Sequence, residues 1–259
     1  MAGALPPFVL GYDGSFVGFL CAAAEAINTA RTGLPAPTIR GFTSPGELFD
    51  DSIRVRSDKE RAKRLWCRLA HRAGQEALHH CLEAFCSDHE GKENAIAYAM
   101  GRMSLEGKSA LCDLDDLRMS IVDKAATRAR NQAHLITGLL RFSELADGSW
   151  YALIAPECDI LPLIARHFAS RFSAMVFTIY DKKHGTAIFH NPGQGYAIAT
   201  DLILDSGGNI PLSERERLIR DEWTEYFESV AIAPRKNLRL QANHMPKKYW
   251  PFIAQQHLF

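Results

Sequence analysis

The chain opens on a short apolar run, residues 7–12 (PFVLGY), which reads as a buried strand. Asp13-Gly14-Ser15 is a turn, and Ser15 is placed to cap the helix FVGFLCAAAEAINTA that follows. Residues 32–56, rich in Pro, Gly and Thr, read as a loop. Ser57 and Glu60 fit a capping box, with the next helix running to about Phe85. Its apolar positions Ala62, Leu65, Trp66, Leu69 and Ala73 keep helical spacing. Further helices are predicted near 91–105 and 114–134. The pattern then shortens. Residues 135–145 and 150–155 read as two strands joined by the turn 146–149, whose Asp-Gly step is a hairpin signal. Residues 162–172 read as a helix, 175–180 and 186–190 as a second hairpin around 181–185, and 191–212 as a loop. Ser213 starts an acidic amphipathic helix to about Val230, and a short helix follows Pro246.

Helices, then strands, then helices predict an α+β fold: a small antiparallel sheet with helices packed on it and a helix-rich N-terminal half. A single domain over 1–259 is expected. Its parts are a helical region at about 15–134, a sheet-containing core at about 135–200 that includes strand 7–12, and a C-terminal basic segment at 229–259.

Composition narrows the classes. In 259 residues, 47% are hydrophobic and 23% charged, the balance of a globular protein able to bury its own core. Lys+Arg and Asp+Glu both number 30, which excludes a polycation or an acidic tail but leaves local patches open. No apolar run approaches the roughly 20 residues of a membrane span, and the start lacks the charged region of a signal peptide. A cytoplasmic protein without membrane attachment is expected, its six scattered cysteines free thiols.

Charge is uneven locally. Residues 229–259 hold no Asp or Glu but five basic residues: Arg235, Lys236, Arg239, Lys247 and Lys248. Asn237, Gln241, Asn243, His244, Tyr249 and Trp250 lie among them. Cations meet phosphates, amides read base edges and aromatics stack on unpaired bases, so this segment is a candidate nucleic-acid surface. The alternative is a solvated tail whose aromatics pack on the core. Residues 54–72 hold eight Lys/Arg against Asp58 and Glu60, with Arg61, Arg64, Arg68 and Arg72 on one helical stripe. Such a stripe tracks phosphates, or is an exposed face paired with acids elsewhere.

Some candidates are chemical. Asp13 follows a strand in a Gly-containing turn, where it either faces a site or caps the turn. Glu157 and Asp159 either cap the helix at 162 or present a carboxylate. Asp13, Asp159 and His167 are the candidate acid–base residues. Arg141 is placed on the face of its strand opposite Leu140 and Phe142. With His134 and Arg171, it would form an anion pocket if the three share a cleft. Asp181, Lys183 and His184 lie in a hairpin turn, where charge usually serves solubility. His79-His80-Cys81-x4-Cys86-x2-His89 has ligand-type residues at a spacing that fits no standard zinc pattern, so no metal is expected there. Phosphate-loop, dinucleotide and nucleophile-elbow motifs are absent, as is a Cys-x3-Cys-x2-Cys triad, and no cofactor is expected.

Several segments together resemble the bacterial "probable DNA metabolism protein" family, a domain of unknown function. Tyr12-Asp13-Gly14-Ser15-Phe16-x-Gly18-Phe19-Leu20 is similar to its opening. His134-Leu-Ile-Thr-Gly138-Leu-Leu-Arg141-Phe142 resembles its HR-x-x-x-F-x-RF strand. Tyr151 to Leu163 resembles its A-x-x-x-P-x-x-D-x-L-P-L stretch, and His167 to Phe172 and Ile179 to Asp181 follow in order. Asn237-Leu-Arg239-Leu-Gln241 and His244-Met-Pro246-Lys-Lys-Tyr249-Trp250 are similar to its ending. Departures are Leu135 for Arg, Leu238 for Pro, and Lys182-Lys-His-Gly185 where an Arg-Gly turn is common.

The resemblance implies a role in DNA repair or modification, beside a radical-SAM protein or a uracil-DNA glycosylase-like protein. This chain is expected to be the stand-alone form. Three readings follow. The first is a DNA-binding accessory that positions nucleic acid for such a partner. The second is an enzyme acting directly on DNA bases or nucleotides by acid–base chemistry. The third is a protein-interaction scaffold.

Overall fold

The first apolar run is short, bounded by a turn and buried on both faces, which is what a central parallel strand requires. It forms β1 (Val9–Tyr12), flanked by β2 (Thr38–Gly41) and β3 (Ser52–Arg54) in a three-stranded parallel sheet ordered β2-β1-β3. The computed structural model describes residues 8–42, 52–202, 211–230, 239–240, 243 and 246–252. Contacts divide the chain into two compact units, 1–129 and 130–259.

In the first unit, α1 (Phe16–Arg31) starts where Ser15 Oγ accepts the Gly18 N–H at 3.0 Å, as its spacing predicts. The predicted capping box is shifted by one residue. Asp58 Oδ1 accepts the Arg61 N–H and caps α2 (Lys59–Ala73), while Ser57 Oγ donates to Asp13 Oδ2 at 2.6 Å. The single helix predicted to Phe85 is two, because Gly74 takes φ +88° between α2 and α3 (Gln75–Cys86). After α4 (Lys92–Glu106) comes a 3₁₀ turn at 107–112, then α5 (Leu117–Leu139). Phe19, Leu69, Leu78, Ile96, Met100 and Met103 form the fully buried centre of this unit. Strand β1 therefore belongs to a separate sheet and not, as expected, to the sheet of residues 135–200.

The second unit is built on a five-stranded mixed sheet, ordered β4-β5-β6-β7-β8. Its strands are β4 (Ser143–Glu144), β5 (Trp150–Ile154), β6 (Phe177–Asp181), β7 (Thr186–Asn191) and β8 (Gly195–Ala199). The fold is α+β, but the sheet is not purely antiparallel: β5 and β6 run parallel. The helix between them, α6 (Leu161–Arg171), supplies the crossover that parallel neighbours need. It buries Leu161, Ile164, Ala165 and Phe168, so its opposite side faces outward. The hairpin predicted around 181–185 is present as β6–β7. The strand predicted over 135–145 is mostly helix, since α5 continues to Leu139 and only Ser143–Glu144 pairs. A short apolar run fits either period, and here the helix already in progress wins. β2, β3 and β8 fall in stretches read as loops. The chain ends its described part with α7 (Glu214–Val230), capped by Ser213 Oγ, and a 3₁₀ turn at 247–252. No described helix is long and apolar enough to cross a membrane. All six cysteines are free thiols.

One side chain fixes the loop between β5 and α6. Gln132 is 8% exposed and its Oε1 accepts the N–H of fully buried Cys158 at 2.7 Å. Gln132→Leu keeps the volume and removes the acceptor. Because a buried donor stripped of its partner costs about 1–3 kcal/mol, the urea midpoint should fall accordingly. An unchanged midpoint would show that this bond does not hold the loop.

Candidate functional site

Parallel strands joined by a crossover present their C-terminal ends, and the loops leaving them, to one side of the sheet. In the second unit these are the end of β5 with the loop carrying Glu157 and Asp159, and the end of β6 with the turn 182–185. Asp181, the last residue of β6, is fully buried. A carboxylate buried this way needs several donors. Asp181 Oδ1 accepts the N–H groups of Lys183 (2.9 Å) and His184 (3.3 Å), and Oδ2 lies 2.6 Å from His184 Nδ1. An ionised carboxylate only accepts, so Nδ1 carries the proton and Nε2 is left as the imidazole's second site. One ligand-type atom from each of Asp159, Asp181 and His184 lies within 4.8 Å of the other two. Lys183 Nζ donates to Glu157 O at 2.8 Å, tying the turn to the β5–α6 loop. Toward the other end of β5, opposite Thr178, burial pushes the Tyr151 hydroxyl up to about 12, with Tyr180 adding to the rise.

Asp159 thus stands in a cluster with Asp181 and His184, two residues that the sequence reading set aside as solubilising. A signal was present. Phe177, Ile179 and Asp181 share one face by strand alternation, so an inward-facing Asp ends an apolar stripe. His167 is exposed on the outer face of α6, its ring against Phe168. Arg166, His167, Ser170 and Arg171 are all exposed and, with Leu163, line a shallow cavity of about 610 Å³.

Asp13 is an exposed residue of the first unit. Its Oδ1 accepts the N–H and hydroxyl of Ser15, and its Oδ2 the hydroxyl of Ser57. Partial burial raises its pKa, but these hydrogen bonds outweigh it and hold the carboxyl below the usual range. This is the local capping role weighed for it. Of the arginine stripe, Arg61 pairs with Glu25 at 2.6 Å and Arg72 donates to Leu105 O, while Arg64 and Arg68 are exposed. Cys81 is buried, its thiol pushed up to about 12, and His79 and His80 both approach Glu83.

Arg141 is not on a strand. It follows the C-terminus of α5, exposed, and its Nη1 donates to Gly138 O and Leu140 O, a cation satisfying terminal carbonyls. Arg239 and Lys247 are exposed, and Lys247 Nζ lies 5.8 Å from the half-buried Trp250 ring. Tyr249 is 3% exposed, which corrects its expected role as an open stacking surface: the ring is packed. Arg235, Lys236, Asn237, Gln241 and His244, and the Lys248 side chain, lie outside the described residues.

The Asp181 contact has a spectroscopic consequence. Neutral His184 should carry its proton on Nδ1 and show that tautomer in long-range ¹H–¹⁵N spectra. Asp181→Asn should shift the population toward the Nε2–H form. An Nε2–H tautomer in the unsubstituted chain would refute the arrangement.

No curated protein and no solved structure matches the chain. A family model described as a domain of unknown function (DUF4130) matches residues 90–254. That span contains α6 and the Asp159–Asp181–His184 cluster, whereas Asp13 and the arginine stripe precede it. With well over half of its length matched, the chain belongs to the DUF4130 family, a domain of unknown function.

Proposed function

We propose that the chain is a DNA-binding accessory protein of DNA repair or modification, positioning nucleic acid for a radical-SAM or glycosylase-type partner. The observation that carries the binding is the outer face of α6. Arg166 and Arg171 are exposed there around the shallow cavity, and neither has a carboxylate partner among the described residues. Arginines elsewhere are paired with acids, Arg61 with Glu25, Arg102 with Glu106 and Asp113, Arg128 with Asp88 and Arg220 with Glu216, whereas Arg64 and Arg68 on α2 share the exposed state of the α6 pair. Cations left without acids on one helix face suit a run of phosphates. The Lys247–Trp250 pair adds a charge beside a partly open ring. The DNA context itself rests on the sequence resemblance.

A second reading is direct acid–base action on a base or nucleotide. It is favoured by the Asp181–His184 pair, in which a buried carboxylate orients an imidazole that is partly open to solvent.

Binding is tested by titrating labelled single- and double-stranded DNA at several salt concentrations. The log–log slope is about −0.9 per duplex phosphate contacted. Arg166→Ala with Arg171→Ala should lower its magnitude by about 2 and weaken binding to all sequences alike. Arg239→Ala with Lys247→Ala should do the same if the C-terminal segment contributes. A slope unchanged by the α6 pair would remove α6 as the contact, and no binding at low salt would overturn the reading.

A further inference from the structure

The end of β6 holds more polar chemistry than a hairpin turn needs. Two carboxylates and an imidazole gather within 4.8 Å, one of the carboxylates being completely buried. Together they carry a net charge of −1 with His184 protonated and −2 with it neutral. Lys183 does not neutralise them by contact, because its ammonium is directed at Glu157 O.

A second, independent feature lies on the neighbouring strand. Thr186 is 7% exposed, and its Oγ1 is buried with no hydrogen-bond partner among the described residues. It stands directly opposite Asp181 in the antiparallel β6–β7 register. Residues opposite each other put their side chains on the same face of the sheet, about 5 Å apart at Cβ. The hydroxyl is therefore on the Asp181 side, a buried oxygen that the described residues leave unused. A buried hydroxyl without a partner is costly, and ligand sites are where such groups persist.

We infer that Asp159, Asp181 and His184 bind one first-row divalent cation, Zn²⁺ or Mn²⁺, with the Thr186 hydroxyl as a further oxygen donor. The donor set is one imidazole nitrogen with carboxylate and hydroxyl oxygens. It is harder than the thiolate sets of structural zinc, and its nitrogen favours these metals over Ca²⁺ or Mg²⁺. Ligand atoms about 2.1 Å from a shared cation lie about 3.0–3.4 Å from each other, so the cluster closes on a metal with side-chain adjustment alone. The cation takes the place of the proton between His184 Nδ1 and Asp181: a neutral imidazole then carries its proton on Nε2 with no net release, and a protonated one gives up a single proton to solvent. Asp181 keeps its backbone donors at Oδ1, which hold the carboxylate in place. The site does not depend on nucleic-acid binding and stands or falls separately from it.

The experiment uses the full chain, stripped with chelator and titrated with Zn²⁺ or Mn²⁺ alone by calorimetry. One equivalent should bind and raise the thermal midpoint. Asp159→Asn and His184→Gln, both at partly exposed positions, should each weaken binding by about tenfold or more and abolish the thermal shift. Thr186→Val should weaken it less. His80→Gln, removing a histidine from the separate His79–Glu83 group, should change nothing. Circular dichroism confirms that each variant is folded before titration, and Asp181, being buried, is left intact. Absence of stoichiometric binding to the unsubstituted chain overturns the proposal. So does binding that survives both Asp159→Asn and His184→Gln, or that is lost in His80→Gln.

Discussion

The second unit is organised around one requirement: a carboxylate at the buried end of a strand must be surrounded by donors. Asp181 meets it with two backbone N–H groups and an imidazole, all supplied by Lys183 and His184. The turn can return that quickly because Gly185 takes φ +64°, where a side chain would be strained and its Cβ would sit 3.2 Å from Leu202 O. Gly185 N–H closes on Asp181 O, and Gly185 O accepts from Leu202 N–H. The chain leaving β8 is thereby fixed to the same turn. Replacing the carboxylate would disturb a corner of the sheet as well as a polar group.

The crossover places the rest. An 11-residue helix joins two parallel strands, so the loop entering it and the turn leaving β6 open on the same side of the sheet. Leu161, Ile164, Ala165 and Phe168 repeat at helical spacing and are buried. That burial fixes the rotation of α6, and with it the outward direction of Arg166, His167 and Arg171. Apolar residues thus determine where the cations point, and Gln132 determines where the Asp159 loop begins.

What the sequence made legible was whatever had a strong local cause. Ser15 and Ser213 start helices because a hydroxyl satisfies the first N–H groups. The β6–β7 hairpin follows from two alternating runs around a turn ending in Gly185. Pairing across distance was not legible. β2, β3 and β8 hold three to five residues each, too few to show a period, and exist because a neighbour supplies hydrogen bonds. The parallel β5–β6 pairing depends on α6 packing, which no local signal carries. Of the candidate site, Asp159 stood out as a carboxylate between strand and helix. Asp181 and His184 did not, because a charged turn is ordinarily solvated, and only burial of the strand's end changes its meaning.

Two aspartates sit at the ends of parallel strands, and their partners separate their roles. Asp13 follows β1 and is met by serine hydroxyls and a backbone N–H, donors that do not change protonation near neutral pH. Its lowered pKa keeps it a fixed acceptor that joins the β1–α1 turn to Ser57. A side chain at Gly18 would strike it, since an added Cβ would lie 2.2 Å from Asp13 Oδ1, so packing there is already complete. Asp181 is met by two backbone N–H groups and an imidazole nitrogen. One carboxylate is locked into a turn by hydroxyls, and the other is paired with an imidazole nitrogen at the end of a buried strand. The family match covers the second and not the first.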